Sequence, residues 1–345
     1  MNSGYVIPPL WCPIEPRVSP YLAAVKGESL PWVRASCLGS TPERLDRSLA
    51  TESVEWCARL APNATHHGLR LMSDMFHAIY AVDDEVVDRP GITFPELVSG
   101  AHRVSWCADN PEAGTGESDL FALVQDVSLR ILEHSGADLH RRWSSGFSTW
   151  LRAAGSLHGT RATGATTSLD DFMIMGPADR AADFILASIE IAEGTSLPEA
   201  ERSRIGLRVA VQAAGVIMTI DHDLFGYQRE SSDGTDSTNV VAAVLNEGAA
   251  SIQDAILVSV GLRDRVMELY LKVKEKELVS ASPEVRTLFG QLDCMIRGTL
   301  DWAAVVRRNR TGTGRSGGAI ADRPTGDSSS LPAELPSISW WWRLA

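Results

Sequence analysis

Leu69-Arg70-Leu71-Met72-Ser73-Asp74-Met75-Phe76-His77-Ala78-Ile79-Tyr80-Ala81-Val82-Asp83-Asp84-Glu85-Val86-Val87-Asp88 is an apolar helical run that ends in acid. Four carboxylates fall within its last six residues, and Arg89-Pro90 follows. Like charges this close repel, and carboxylates are rarely buried without partners. The simplest compensation is a hard divalent cation held by oxygen ligands, with Mg2+ the obvious candidate. For such a cluster standing alone, a solvated acidic helix end is the ordinary reading. A second segment about 140 residues downstream shifts the balance.

Outward from this run the pattern is helical. Apolar residues recur at i, i+3, i+4 and i+7 over 42–60, 69–87, 119–135, 140–153, 169–192, 198–224, 249–273 and 283–309. Breakers separate these segments: Gly68, Pro90-Gly91, Asn110-Pro111, the glycines at 114–116 and the polar stretch 231–236. No strand alternation and no fixed repeat is evident. The spacing predicts one all-α domain, a single large helical bundle over 41–310. Residues 1–40, with Pro8, Pro9, Pro13, Pro16 and Pro20, read as an extended arm anchored by Trp11, Tyr21 and Trp32. From 311 to 336 the composition turns to Gly, Ser, Thr, Pro and Asp, so 311–345 is expected to be a disordered tail ending in Trp340-Trp341-Trp342.

The chain has 345 residues, 44% hydrophobic and 22% charged, which suits a soluble globular protein with a sizeable core. Its formal net charge of −12 argues against a nucleic-acid partner. Five cysteines without CxxC spacing suggest reduced thiols, a cytoplasmic protein and no zinc site. The N-terminus lacks a basic region followed by an apolar one, so no signal peptide is expected. The longest nearly apolar run, 209–220, is too short for a membrane span.

The downstream segment is Asp221-His222-Asp223-Leu224-Phe225-Gly226-Tyr227-Gln228-Arg229-Glu230. On a helix, His222, Gly226 and Glu230 share one face at i, i+4 and i+8. A potential ligand at each end, with no side chain between, leaves room for an ion and its water. Arg229 lies beside that face, where it could meet an anion.

Together the two segments resemble the paired metal motifs of bacterial class I terpene synthases. In that family a DDxxxD motif faces an NSE motif, (N/D)Dxx(S/T)xxx(E), across the mouth of a helical bundle. The resemblance covers roughly residues 5–310. It implies three Mg2+ ions binding an isoprenyl diphosphate, farnesyl or geranylgeranyl, whose carbocation is cyclised to a sesquiterpene or diterpene as diphosphate leaves. It implies metal ligation by Asp83, Asp84, Asp88, His222, Gly226 and Glu230, with Asp83, Asp84 and Glu230 central to catalysis. Asp179, Arg180, Arg229, Arg308, Phe76 and Tyr80 would meet the substrate. Met72, Met75, Ile79, Met218, Phe172 and Phe184 are further candidates for an apolar lining. A homodimer is an assembly that the family allows.

This chain departs from the family pattern at several positions. His222 stands for Asn or Asp, and imidazole is a less natural Mg2+ ligand than oxygen. Gly226 stands for Ser or Thr. Gly176 lies where the family carries its diphosphate-sensing arginine, while Arg180 lies at the expected effector glycine and Asp179 keeps the position between them. Because 176 and 180 are one turn apart, Arg180 could take over the diphosphate contact. The family's C-terminal Arg-Tyr pair is matched only by Arg308-Asn309, with Arg310 or Arg315 as substitutes. A chain-elongating prenyl synthase would need a second DDxxD, and a protonation-initiated cyclase a DxDD; neither is found. A non-catalytic protein of the same fold, acting as an interaction module, is the alternative from another class.

Overall fold

The computed structural model describes residues 5–114, 118–234, 236–307, 315–316, 320–326, 329 and 331–345, the side chains of 233, 315 and 316 excepted. The helices are α1 (Leu22–Ala35), α2 (Pro42–Ala50), α3 (Ser53–Leu60), α4 (His66–Val82), α5 (Phe94–Asp109), α6 (Asp119–Thr163) and α7 (Leu169–Asp179). They continue as α8 (Ala182–Glu193), α9 (Glu199–Arg202), α10 (Ile205–Asp233), α11 (Val240–Asn246), α12 (Ile252–Leu278), α13 (Pro283–Ala303) and α14 (Pro336–Ser339). The all-α bundle expected from the periodicity is what forms.

Its centre is α4, buried on nearly every side from Gly68 to Val82. Thr65 caps it, its hydroxyl accepting from the Gly68 N–H at 3.0 Å. α4 packs on α3, α6 and α8, and α13 packs on α3, α8 and α10, so the helices close a ring. α6 approaches α8 closely through Gly146, where an added Cβ would stand 2.7 Å from the Phe184 backbone nitrogen.

Breaks in the predicted segments have local causes. The 42–60 run splits because Glu52 adopts a left-handed conformation (φ 49°) before α3. Residues 119–135 and 140–153 form one element bent at Gly136 (φ 79°, ψ 172°). The 169–192 run breaks at Ala181, a non-glycine residue at φ 55°. Pro177 lies within the last turns of α7 just before that break.

The extended arm and, over its described residues, the disordered tail both differ from expectation; 311–314, 317–319, 327–328 and 330 lie outside the described residues. About a third of the arm is helix α1, which carries Pro31 internally and buries Val25, Ser29 and Val33. The helix α5 went unpredicted, although Thr93 and Glu96 form a capping box at its start. Before α1, Val6–Ile7 pairs in parallel with Arg315–Ser316. The chain end docks: Ile338 and Trp341 are buried. Ser337 donates its N–H and hydroxyl to Asp170 at 2.9 and 2.7 Å. Composition over 311–336 suggested disorder, but the apolar area that orders the end lies beyond it, in Ile338 and Trp341.

Candidate active site

The acidic motif does not continue α4 as α-helix. Residues Asp83–Val87 form a π turn in which the Asp88 N–H donates to the Asp83 carbonyl at 2.7 Å. An i→i+5 turn stacks residue 88 over residue 83, where an α turn would stack residue 87. Asp83 and Asp88 therefore both line the central cavity. Asp84 turns the other way: it lies 3.8 Å from Arg47 Nε and lines a small separate pocket with Arg44, Arg47 and Glu85. Of the three aspartates expected at the metal, the cavity receives two. Arg161 on α6 approaches Asp88 Oδ1 at 3.8 Å from across the mouth.

The opposite wall is α10, where His222, Arg229 and Glu230 line the cavity. Donor atoms of His222, Asp223 and Glu230 lie within 4.8 Å of one another, a grouping compact enough for one ion. Gly226 supplies no ligand; an added Cβ there would stand 2.9 Å from Glu230 Oε1, so its missing side chain makes room for that carboxylate. His222 Nδ1 is buried, 3.5 Å from Asp223 Oδ1. Burial pushes the imidazole pKa down, and Arg180 adds to that, although Asp223 and Glu230 oppose it. The neutral ring, stacked on Trp302 at 6.3 Å, keeps a lone pair for a cation.

Glu230 and Asp223 are held from several directions. Glu230 Oε2 accepts from Arg180 at 3.3 Å and from the Asn239 amide at 2.9 Å, and Oε1 accepts from Arg229 at 3.3 Å. Burial raises the Glu230 pKa, but Arg180, Arg229 and His222 outweigh it and bring the carboxyl down to about 2. Asp223, fully buried, accepts from Arg180 Nε at 2.7 Å and from the Val240 N–H at 2.9 Å. Asn239 also donates to the Asp223 carbonyl, which ties α11 to α10.

The α7–α8 break delivers Asp179, Arg180 and Ala181 to the cavity. Arg180 Nη1 meets Asp179 Oδ2 at 2.6 Å, completing contacts with three carboxylates. Burial lifts the Asp179 pKa to about 6; Arg180 and Arg161 oppose the rise, while Asp223 and Asp88 add to it. Gly176 is filled in by its neighbours: an added Cβ would stand 3.1 Å from the Phe172 ring and 3.3 Å from the Thr219 methyl. Position 176 is thus packed, and Arg180, one turn further on, lines the cavity.

Below the polar mouth the cavity is apolar, about 1040 Å3 including its opening. Phe76, Ile79, Tyr80, Phe184 and Met218 line it as expected, joined by Trp56, Trp150 and Trp302. Trp56 stacks on Trp302 at 4.3 Å and meets Phe76 edge-on at 5.0 Å. Their indole N–H groups are taken by Thr299 and the Thr51 carbonyl, so both rings present carbon to the cavity. Met72, Met75 and Phe172 are buried elsewhere in the core. Arg308 and Arg310 lie outside the described residues, and the Arg315 side chain does too. Their neighbour Arg307 pairs with Glu52 at 3.4 Å and with the Leu49 carbonyl, facing α2.

Two carboxylates on one wall, a His-Asp-Glu cluster on the other and arginines between them fit divalent cations and a phosphorylated anion at the mouth of an apolar chamber. Comparison with known proteins gives this arrangement a class. Residues 74–268 match the model of terpene synthase family 2, C-terminal metal binding. The chain is 27% identical over 357 residues to bonnadiene synthase of Allokutzneria albata, covering 97% of each. It is 25% identical over 346 residues to spiroviolene synthase of Streptomyces violens, covering 97% of this chain and 96% of that one. Among solved structures, the SVS_A2 protein from ancestral sequence reconstruction superposes with a TM-score of 0.84 at 26% identity, covering 97% of this chain and 98% of that one. Hedycaryol synthase in complex with nerolidol shares the fold, with a TM-score of 0.73, 16% identity and coverage of 86% and 99%.

The chain therefore belongs to terpene synthase family 2. It is a terpene synthase, a lyase with the all-α class I fold, and its family implies a divalent metal.

Proposed function

We propose that this terpene cyclase is Mg2+-dependent and ionises farnesyl or geranylgeranyl diphosphate, closing the resulting carbocation to a cyclic hydrocarbon or alcohol. One observation carries the reading: both acidic walls and Arg180 open onto the same aromatic-lined cavity. Two of the relatives frame the chain length. A (+)-T-muurolol synthase of Streptomyces clavuligerus is described as cyclising (2E,6E)-farnesyl diphosphate, and DtcycB of a Streptomyces species as a diterpene cyclase.

Asp83 and Asp88 would hold metal from the π turn that follows α4, and His222, Asp223 and Glu230 from α10. Bound there, Mg2+ supplies Lewis-acid assistance to the departing diphosphate. The chain's own residues do the rest. Arg180, Arg229 and Arg161 line the mouth and would offer charge-assisted hydrogen bonds to the phosphate oxygens. Trp56, Phe76, Trp150, Phe184 and Trp302 would exclude water and turn aromatic rings toward developing positive charge. No helix among the described residues is long and apolar enough to cross a membrane. Five unpaired cysteines support a reducing, cytoplasmic setting.

The test incubates purified protein with C10, C15 and C20 diphosphates and Mg2+, followed by gas chromatography–mass spectrometry. A cyclic product from the C15 or C20 substrate supports the proposal. No hydrocarbon or alcohol from any of them overturns it.

A further inference from the structure

Arg180 makes a contact that departs from a simple diphosphate ligand. Its guanidinium points into the α10 acidic cluster, with Nε 2.7 Å from Asp223 Oδ1 and Nη2 3.3 Å from Glu230 Oε2. Its third nitrogen is on Asp179 at 2.6 Å. The remaining oxygens of the cluster are also engaged: Asp223 Oδ2 by the Val240 N–H and Glu230 Oε1 by Arg229. A Mg2+ ion demands a nearly complete octahedron of oxygens and sheds its water reluctantly. With His222 and Gly226 in place of two oxygen-bearing residues, Arg180 covers one oxygen of each carboxylate that remains at this wall.

We propose that Arg180 is a resident cation that locks the α10 wall against metal, and that diphosphate releases it. The inference rests on the diphosphate-ionising reading above. When the diphosphate enters, the guanidinium passes from Asp223 and Glu230 to the phosphate oxygens. The two carboxylates are thereby freed for the divalent ion. Charge stays balanced, since the cation leaving the carboxylates is replaced by another as a new anion arrives. Loading is thus ordered: the Asp83–Asp88 wall accepts metal alone, and the α10 wall accepts it only with diphosphate. By linkage, pyrophosphate strengthens metal binding and metal strengthens pyrophosphate binding by the same factor, expected here to be about tenfold or more. The break at Ala181, directly after Arg180, provides a non-helical joint about which the side chain and its backbone can shift.

The experiment titrates Mn2+ into the full chain with and without inorganic pyrophosphate, reading bound metal by electron paramagnetic resonance. Without pyrophosphate, wild type and Glu230→Gln should bind Mn2+ alike, because the wall is locked in both. With pyrophosphate, Glu230→Gln should bind about tenfold more weakly than wild type. Arg180→Gln should gain, in the absence of pyrophosphate, a Mn2+ site that a second Glu230→Gln change removes. If Glu230→Gln already weakens metal binding without pyrophosphate, the lock does not exist. Equal Mn2+ binding by wild type and folded Arg180→Gln overturns it as well. Should Arg180→Gln fail to fold, the comparison of wild type with Glu230→Gln decides alone. None of these readouts requires turnover. A protein that makes no terpene can still show the lock, and an active cyclase can still lack it.

Discussion

Asp88 sits one π turn above Asp83, its N–H bonded to the Asp83 carbonyl at 2.7 Å. This turn sorts the acidic motif into two faces, because a five-residue step returns to the same side only when the helix widens. Asp83 and Asp88 face the cavity, while Asp84 faces Arg47. The neighbours should therefore be unequal. Asp83→Asn removes charge from the metal wall and should lower kcat by ~100-fold or more, since metal assistance is worth several kcal/mol. Asp84→Asn breaks a half-exposed pair worth ~1 kcal/mol or less, and should cost under about tenfold. Steady-state kinetics on both variants checks the order; equal losses would contradict the two-face arrangement.

Returning an arginine to position 176 should not restore the family pattern. Phe172 and Thr219 already occupy the space, within 3.3 Å of where the first side-chain carbon would go. Gly176→Arg is expected to destabilise by roughly 1–3 kcal/mol through overpacking. It should also fail to rescue Arg180→Gln when the two are combined. Urea unfolding and the activity of the double variant test this, and a recovered rate would show that the two sites are interchangeable.

Trp302 joins the site to the core. It stacks on Trp56 and His222 and donates its indole N–H to the Thr51 carbonyl. Trp302→Ala should cost ~3–5 kcal/mol of stability. In the protein still folded at low temperature, product should shift toward linear or water-quenched alcohols as the chamber admits solvent. Trp302→Phe should keep most of both properties. Chemical denaturation and product profiling check the pair, and an unchanged profile in Trp302→Ala would remove Trp302 from the cavity's role.

His77 supplies a pH signature away from the chemistry. It is buried on α4, with Nδ1 3.0 Å from the Ser48 hydroxyl, and burial first and Arg70 second push its pKa from 6.5 down to about 4. The folded state therefore resists a proton that the unfolded chain accepts below 6.5. Stability is lost as pH falls from 6.5 to about 4, by about 3 kcal/mol in all. Unfolding free energies of wild type and His77→Gln should converge as pH falls through that window. Parallel curves would show that His77 is not held neutral.

Much of this was legible in the sequence because it depends on short-range periodicity. The apolar run into Asp83 and the i, i+4, i+8 face from His222 to Glu230 each lie on one helix, so spacing alone set their faces. The cavity wall was not legible. Trp56, Trp150 and Trp302 come from α3, α6 and α13, and only packing brings them together. Arg161 was missed for the same reason. The direction of Asp84 depends on one extra residue in a turn, a shift that no apolar pattern reports. Asp221 looked like part of the acidic segment, yet it is fully buried against Arg263 at 2.7 Å on the opposite face of α10. Composition alone left docking of the Trp-rich end open, because tryptophans order a segment through area, while composition counts only how many polar residues precede them.

Cooperation of the two acidic walls on one diphosphate is tested by Mg2+-dependent product formation in a matched set. Wild type, Asp83→Asn and Glu230→Gln would be incubated with farnesyl and geranylgeranyl diphosphates and analysed by gas chromatography–mass spectrometry, with and without chelator. Wild type should give a cyclic product that chelator abolishes, and each variant should lose ~100-fold or more. A Glu230→Gln protein that kept full activity, or a product formed equally well in chelator, would contradict that cooperation.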